Sequence, residues 1–427
     1  MKRITLILML CLSAFLNGCI FKDLKEELAE FDQSYAIAGK ISNHEQATGP
    51  VLVILYSHSE EPKTIQQIVF TEATGDFSFL VHPGVYSLAA FADTNSNMAW
   101  DMGELAGRYG APDEIAIPPQ PTVGLPDTRD VTRLEMVLKP PGGTLSDFPS
   151  LDDTSLVEAK SLVRLGTIAK LDDSIFAQEN GSLGYWKPAT FLKELGFGIY
   201  FLEPFDPAKI PVLFVHGAVG TPVGYSPMVD AMDRDHFQPW FFYYPSGIRL
   251  TSVANALSET VVMLRDAYDF NTLAVTAHSM GGLVSRAFIK EYALTDNPAD
   301  VNLFVSISTP WGGSRMAAKG AEEAPVAVPS WHDMGPDSDF IRNLFATPLP
   351  AGVSHHLFFS FKGDCSLFMA NNDGTVELES ELDYRAQREA STTIGLNEDH
   401  GSILESHELF DEYNRLLSTL VNRADRQ

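Results

Sequence analysis

Cysteine is scarce in this chain: there are three in 427 residues, at positions 11, 19 and 365. A chain this poor in cysteine is held by a packed core rather than by a disulfide framework. No apolar run reaches the roughly 18 residues that a membrane-spanning helix needs. Positive charge is also in deficit, with 30 Lys and Arg against 56 Asp and Glu and a formal net charge of −26. Such a surface repels phosphate backbones, so nucleic acid is not an expected partner. Internal repeats and low-complexity tracts are missing too, which excludes a solenoid. Apolar residues, by contrast, make up 45% of the sequence. That is enough for a full core, and the length suggests about two or three domains.

The N-terminus reads as a leader. Met1-Lys2-Arg3 supplies positive charge and ITLILMLCLSAF an apolar stretch, the pattern of a secretory signal over residues 1–18. It ends in Leu16-Asn17-Gly18-Cys19, which resembles a bacterial lipobox, with Asn17 where that pattern has a small residue. The resemblance implies cleavage before Cys19 and acylation of Cys19. It therefore implies a lipid-anchored protein of the cell envelope, on the outer membrane if the cell is Gram-negative, since Ile20 rather than Asp follows. Cys11 would leave with the leader and Cys365 would remain without a partner for a disulfide. An ordinary secretory leader with a chance cysteine is the alternative.

Residues 19–34 are charged with sparse apolar positions and read as a tether. From 35 to 140 the period is that of strands: YAIAGKIS, PVLVILYSH, TIQQIVFTEA, DFSFLVHPG, VYSLAAFAD and TRLEMVLK are β-rich runs separated by Gly, Pro, Asn and Asp. TEATGDFSF carries Thr74-Gly75-Asp76 between alternating runs and predicts a hairpin. Together these predict a small all-β sandwich. The run resembles carboxypeptidase regulatory-like or transthyretin-like modules. Residues 141–155, rich in Pro, Gly, Ser and Asp, read as a linker.

From 156 to 427 strands alternate with helices. GIYFLEP, PVLFVHG, FQPWFFYYP, LAVTA, VNLFVSIS and HLFFSF read as strands. One amphipathic helix carries Val253, Leu257, Val261, Leu264 and Tyr268 on a face, another starts at Met280, and a last one carries Leu409, Phe410, Tyr413, Leu416 and Leu420. The expected fold class is therefore α/β, a doubly wound and mostly parallel sheet preceded by the small all-β sandwich.

In a parallel sheet ligands gather at the carboxyl ends of strands. Ser279, in TAHSMGGLV, falls at such an end, where a strand turns directly into a helix. Gly281 and Gly282 permit a turn that tight by removing Cβ atoms. The Met280 N–H has no partner inside its own helix and is free to face an anion. This segment resembles the G-x-S-x-G nucleophile elbow of the α/β-hydrolases, with Ala277 in place of the first glycine. HGAVG, AHSMGG, STPWGG, NNDGTV and DHGSIL follow in the order that family uses, over residues 211–404. The resemblance implies an oxyanion hole from the N–H groups of Ala218 and Met280, and His400 as base. It implies Asp373 as acid, with Asp364 as the other candidate. It places Trp311 at the wall of the substrate pocket and makes residues 314–355 a cap insertion. WHDMGPDSDFIRNLF, within that insertion, resembles the cap region of lipase-like and acyltransferase-like members, and the wider match, with WKPATFL and YFLEPFDPAKIPV, resembles the lecithin–cholesterol acyltransferase and inositol-deacylase side of the superfamily. His355 and His356 border a strand start and are expected to be structural or exposed, His407 falls within the last helix and His332 within the insertion.

AFADTNSNMAWDMGE places Asp93, Asn95, Asn97, Asp101 and Glu104 at the first, third, fifth, ninth and twelfth positions of a calcium-type loop. Met98 stands where an EF-hand has glycine, and a strand precedes the loop. It is a candidate structural calcium site, with an acidic turn as the alternative.

The expected function is a membrane-anchored serine hydrolase that cleaves carboxylic esters, lipid esters above all, through an acyl-enzyme, with no cofactor for catalysis. The partners are the ester and, through Cys19, the membrane. An acyltransferase using the same triad and a catalytically dead surface-binding protein are the alternatives.

Overall fold

In this computed structural model the described residues are 20–57, 64–71, 75–95, 100–101, 103–109, 115–117, 131–140, 162–295, 300–362 and 371–424. The leader, Cys19, the linker 141–155, Asn97, Asp364 and Cys365 lie outside them. Among the described residues no helix is long and apolar enough to cross a membrane. Residues 20–32 are helical. Their Leu, Glu and Lys are strong helix formers, and Leu24 is fully buried.

The chain forms two units: residues 28–167 with 189–197, and residues 168–188 with 198–427 and the described residues before 28. Among the described residues the first contains β1 (Tyr35–Ile41), β2 (Val51–Ser57), β3 (Thr64–Phe70), β4 (Asp76–Val81), β5 (Gly84–Ala92), β6 (Ala106–Tyr109), β7 (Ile115–Ile117) and β8 (Val131–Met136), and its bounds also take in Val163–Thr167 of a further strand. One sheet has the order β4-β1-β8, the other β3-β2-β5-β6 with β7 also on β5. Ile37, Phe77 and Phe79 of the first sheet share a core with Val53, Leu55, Leu88 and Ala90 of the second. That is the sandwich the alternation predicts. The hairpin predicted at Thr74-Gly75-Asp76 does not form. β3 pairs with β2 and β4 with β1, in different sheets. Each sheet must present an apolar face to the same core, and splitting β3 from β4 gives both sheets one. β8 runs parallel to β1 with a bulge between Ile37 and Gly39, where Arg133 takes φ 62°. Asn43 closes one end of the sandwich as a backbone would: its side chain donates to Leu138 O at 2.8 Å and accepts from Leu138 N–H at 2.9 Å.

The remaining strands are β9 (Val163–Ile168), β10 (Phe197–Phe201), β11 (Ile210–Val215), β12 (Phe237–Tyr243), β13 (Thr272–His278), β14 (Asp300–Ile307), β15 (Ser354–Ser360) and β16 (Ala390–Leu396). They form one sheet in the order β9-β10-β12-β11-β13-β14-β15-β16. β10 is antiparallel to β12, while β12 through β16 are parallel. Sequence reading missed β9 and β16. In β16 every second residue is exposed up to Gly395, so an edge strand of Thr and Ser reads like a loop.

Period-2 alternation assigns the two faces. Val212, Phe214, Ala274 and Val305 pack with Met228, Leu409, Tyr413 and Leu416, from the helices Ser226–Ala231 and His407–Ala424. The helix Met280–Tyr292 lies against β11, β13 and β14, and the helix Leu250–Tyr268 packs on it. The sheet is doubly wound and mostly parallel, and the fold class is α/β. β11 is the switch point, because the chain leaves it for β12 on one side and returns to β13 on the other. A crevice opens at the carboxyl ends of such neighbours. Between β14 and β15 come the helices Arg315–Glu323, Pro329–Met334 and Asp339–Leu344. Ser314 and Ser338 cap the first and third through their hydroxyls.

Candidate active site

Ser279 follows β13 at φ 55° and ψ −132°, a backbone region costing about 1–3 kcal/mol for a residue with a Cβ. The surroundings force it. A Cβ on Gly281 would come within 2.2 Å of Val215 O, and one on Gly282 within 2.0 Å of Thr309 Oγ1. A Cβ on Gly217 would lie 2.8 Å from Ser279 Cβ. Three glycines thus let the β11 loop, the Thr309 segment and the helix start close on one serine. Ala277 is fully buried between Val215 and Ser306 and accommodates its methyl group.

The Ser279 hydroxyl lies 2.9 Å from His400 Nε2, and His400 Nδ1 lies 2.6 Å from Asp373 Oδ2. With the imidazole proton on Nδ1, it donates to the carboxylate, and Nε2 accepts from the serine. The three residues follow the ends of β13, β15 and β16. Their separation along the chain is bridged by sheet order, not by local structure.

Each partner is fixed in turn. Asp373 is fully buried, and its Oδ1 accepts from Thr375 N–H at 2.9 Å and Val376 N–H at 2.7 Å. Gly374, at φ 98°, allows the turn that brings those amides round. Asp373 Oδ2 also accepts from Ser360 Oγ at 2.8 Å. Burial favours the acid form of Asp373, but the His400 hydrogen bond and charge and the two backbone amides outweigh it. The carboxyl sits below its usual range. His400 N–H donates to Asp373 O at 2.9 Å, and His278 Nε2 donates to His400 O at 2.7 Å. Burial, then the nearby His400, lowers His278 to about 3, so it is a neutral donor. Asp399 turns away and caps the following turn, accepting from Gly401 and Ser402 N–H.

On the other side lies the loop after β11. His216 is buried and stacked on Tyr244, and burial lowers it to about 4. Its Nδ1 donates to Gly217 O at 2.8 Å. Val219, at φ 60°, donates its N–H to Ser246 Oγ at 3.0 Å. A Cβ on Gly181 would meet Val219 O at 2.1 Å, so that glycine lets the loop seat. Ala218 lies in this loop, and Met280 opens the helix behind Ser279. An N–H at helix position one has no intrahelical acceptor.

Several features escaped sequence reading. His278 looks like an ordinary strand residue. Ser308 takes φ 47° and is fully buried, with its hydroxyl 2.6 Å from Ser360 Oγ. Trp311 is a correction: it is fully buried against Phe304, His355 and Phe345, so it belongs to the core and walls no open pocket. His355 is buried with Nε2 2.9 Å from Ser306 Oγ, and His356 bonds Ser354 and Thr392.

In the calcium-type loop Glu104 accepts from Thr94 N–H, Thr94 Oγ1 and Asp101 N–H at 2.7, 2.8 and 3.0 Å. Asn95 donates to Asp101 Oδ2 at 2.6 Å, and Asp93 is buried. Among the described residues no group of three or more His, Cys, Asp or Glu is gathered as a metal site requires.

No family model and no curated protein matches this chain. Solved structures do match. A Bacillus licheniformis lipase, BlEst2 in its mature form, is 18% identical over 51% of this chain and 97% of its own, with a TM-score of 0.40. Aspergillus fumigatus lipase B is 20% identical over 46% of this chain and 47% of its own, with a TM-score of 0.36. The phospholipase PlaB of Legionella pneumophila is 18% identical over 40% of this chain and 45% of its own, with a TM-score of 0.33.

Proposed function

We propose that this chain is a serine hydrolase of carboxylic esters, acting on lipid esters and held at the cell envelope by an acylated Cys19. The observation that carries the chemistry is the Ser279–His400–Asp373 series, with separations of 2.9 and 2.6 Å. Serine is a poor nucleophile until a base takes its proton. In this reading Ser279 Oγ attacks the ester carbonyl carbon as its proton passes to His400 Nε2. Asp373 stabilises the imidazolium. The carbonyl oxygen becomes an oxyanion facing the N–H groups of Ala218 and Met280. Collapse expels the alcohol, which takes the proton from His400. Water then attacks the acyl-enzyme, again through His400, and frees the acid and Ser279. The lipid class of the ester is supported by the resemblance of the segment 331–345 to lipase-like caps. The anchor is supported by Leu16-Asn17-Gly18-Cys19.

A fluorophosphonate probe tests the chemistry. The folded chain should be labelled, and Ser279→Ala should not. Equal labelling of both would overturn the proposal. Turnover of acyl esters of increasing length should rise towards long chains if lipids are the substrates. Globomycin-sensitive processing at Cys19 tests the anchor.

A further inference from the structure

Glu381 ends the short helix Leu378–Glu381 and is fully buried. The helix is tied down: Gly312 N–H donates to Ser380 O at 3.0 Å and Ser380 Oγ to Gly313 O at 2.5 Å. Its carboxyl is therefore held in one place. Oε2 accepts from Ser360 N–H at 3.1 Å, while Oε1 meets no donor among the described residues. Among the described residues Asp373, Ser308 and Ser360 face this carboxyl. Ser360 joins the two acids, giving its N–H to Glu381 and its hydroxyl to Asp373.

Two carboxyls in one dry pocket do not both ionise. Asp373 has the stronger claim to the negative charge, with His400, Ser360 Oγ and two backbone amides as donors. Glu381 has one backbone amide, with the Ser308 hydroxyl beside it. A proton on Oε1 turns an acceptor without a donor into a donor beside an anion. We infer that Glu381 is a positioning residue: it stays a neutral acid and donates a hydrogen bond to Asp373, so the carboxylate that orients His400 is itself fixed from behind. Burial, then the charge of Asp373, pushes the Glu381 carboxyl up to about 9. Above that pH the donor is lost and a second negative charge appears next to Asp373.

The folded value lies above the unfolded one, so the contribution of Glu381 to stability is complete at acid pH and is lost as pH rises through about 9. A Glu381→Gln side chain would keep the donor and the acceptor without titrating. The kinetic arm of the test rests on the serine-hydrolase proposal; the thermal and infrared arms do not.

Wild type, Glu381→Gln and Glu381→Leu are compared with a soluble short-chain ester from about pH 6 to about pH 10. Glu381→Gln should keep kcat within about twofold at neutral pH and lack the alkaline decline of the wild type, while Glu381→Leu should lose about tenfold in kcat at unchanged KM. The melting temperature of Glu381→Gln should gain on the wild type as pH rises. An infrared carboxylic-acid band present at neutral pH in the wild type should be missing from Glu381→Gln. If Glu381→Leu does not fold, the Gln variant decides alone. A tenfold or greater loss in folded Glu381→Gln, an alkaline limb shared by both proteins, or no infrared difference would overturn the inference. An infrared difference without ester turnover would sink the enzymatic proposal and leave the neutral acid standing.

Discussion

The two units handle left-handed backbone differently. In the β unit the chain delegates positive φ to Gly49, Gly75, Gly103, Gly166 and Gly196, with Arg133 at a bulge as the exception among the described residues. In the α/β unit glycine also takes this role, at Gly198, Gly313 and Gly374, and Asp269 takes it as the cap of the helix Leu250–Tyr268, yet Val219, Ser279 and Ser308 take it at the ends of β11, β13 and β14. Glycine adopts such angles at little steric cost, whereas a residue with a Cβ costs about 1–3 kcal/mol. The β unit follows local rules almost throughout. The α/β unit breaks them at three strand ends, and at one of these the bend turns the Ser279 hydroxyl to His400 Nε2.

Buried imidazoles separate the units as well. His216, His278 and His355 are lowered to about 4, 3 and 3 by burial. In the β unit, the His44 and His82 side chains are 28% and 53% exposed, so neither is sealed in a core.

The largest effect that sharpens the contrast is chemical. Asp373→Asn should cut turnover by about 10⁴-fold, because the amide no longer favours the Nδ1–H tautomer, while both units keep their melting behaviour. Steady-state kinetics with calorimetry checks this, and coupled loss of folding would break the contrast. Next comes acid sensitivity. The buried imidazoles are held below the unfolded value of 6.5, so their stability is present above that pH. It is lost as pH falls from about 6.5 towards 4, when the unfolded chain takes up protons that the folded chain refuses. Melting temperature against pH should show this slope, and His355→Leu should reduce it by about one proton.

Gly281→Ala should cost about 3 kcal/mol, since its methyl meets backbone oxygen, and denaturant titration would read it. The smallest effect has the opposite sign. Ser279→Gly should stabilise the protein by about 1 kcal/mol while removing activity, through release of the strain at φ 55°. A destabilised Ser279→Gly would mean that the strain argument is wrong.

Much of this was legible in the sequence, for physical reasons. Period-2 and period-3.6 patterns gave the core strands and the long helices, because β11 to β15 and the helices Leu250–Tyr268 and His407–Ala424 bury one kind of residue each. Ser279, Asp373 and His400 stood out through resemblance to a family's motifs, and those motifs were readable because glycine-marked turns and strand ends are local signals. Pairing was not local: nothing in TEATGDFSF says that β3 and β4 part company. Glu381 sits in VELESELDY among acids that look solvent-facing, and only tertiary closure over β15 makes it dry. Trp311 was misplaced because an aromatic after a strand end reads the same whether it faces a cleft or a core.

Ala277 carries a practical consequence. Its neighbours, Val215 and Ser306, run alongside it at ordinary sheet spacing, so a methyl fits, whereas the backbone crossing beyond Ser279 admits none at Gly281. A search pattern demanding glycine on both flanks of the serine would discard this chain. A pattern that relaxes the upstream position and insists on the downstream pair follows the contacts of this bend.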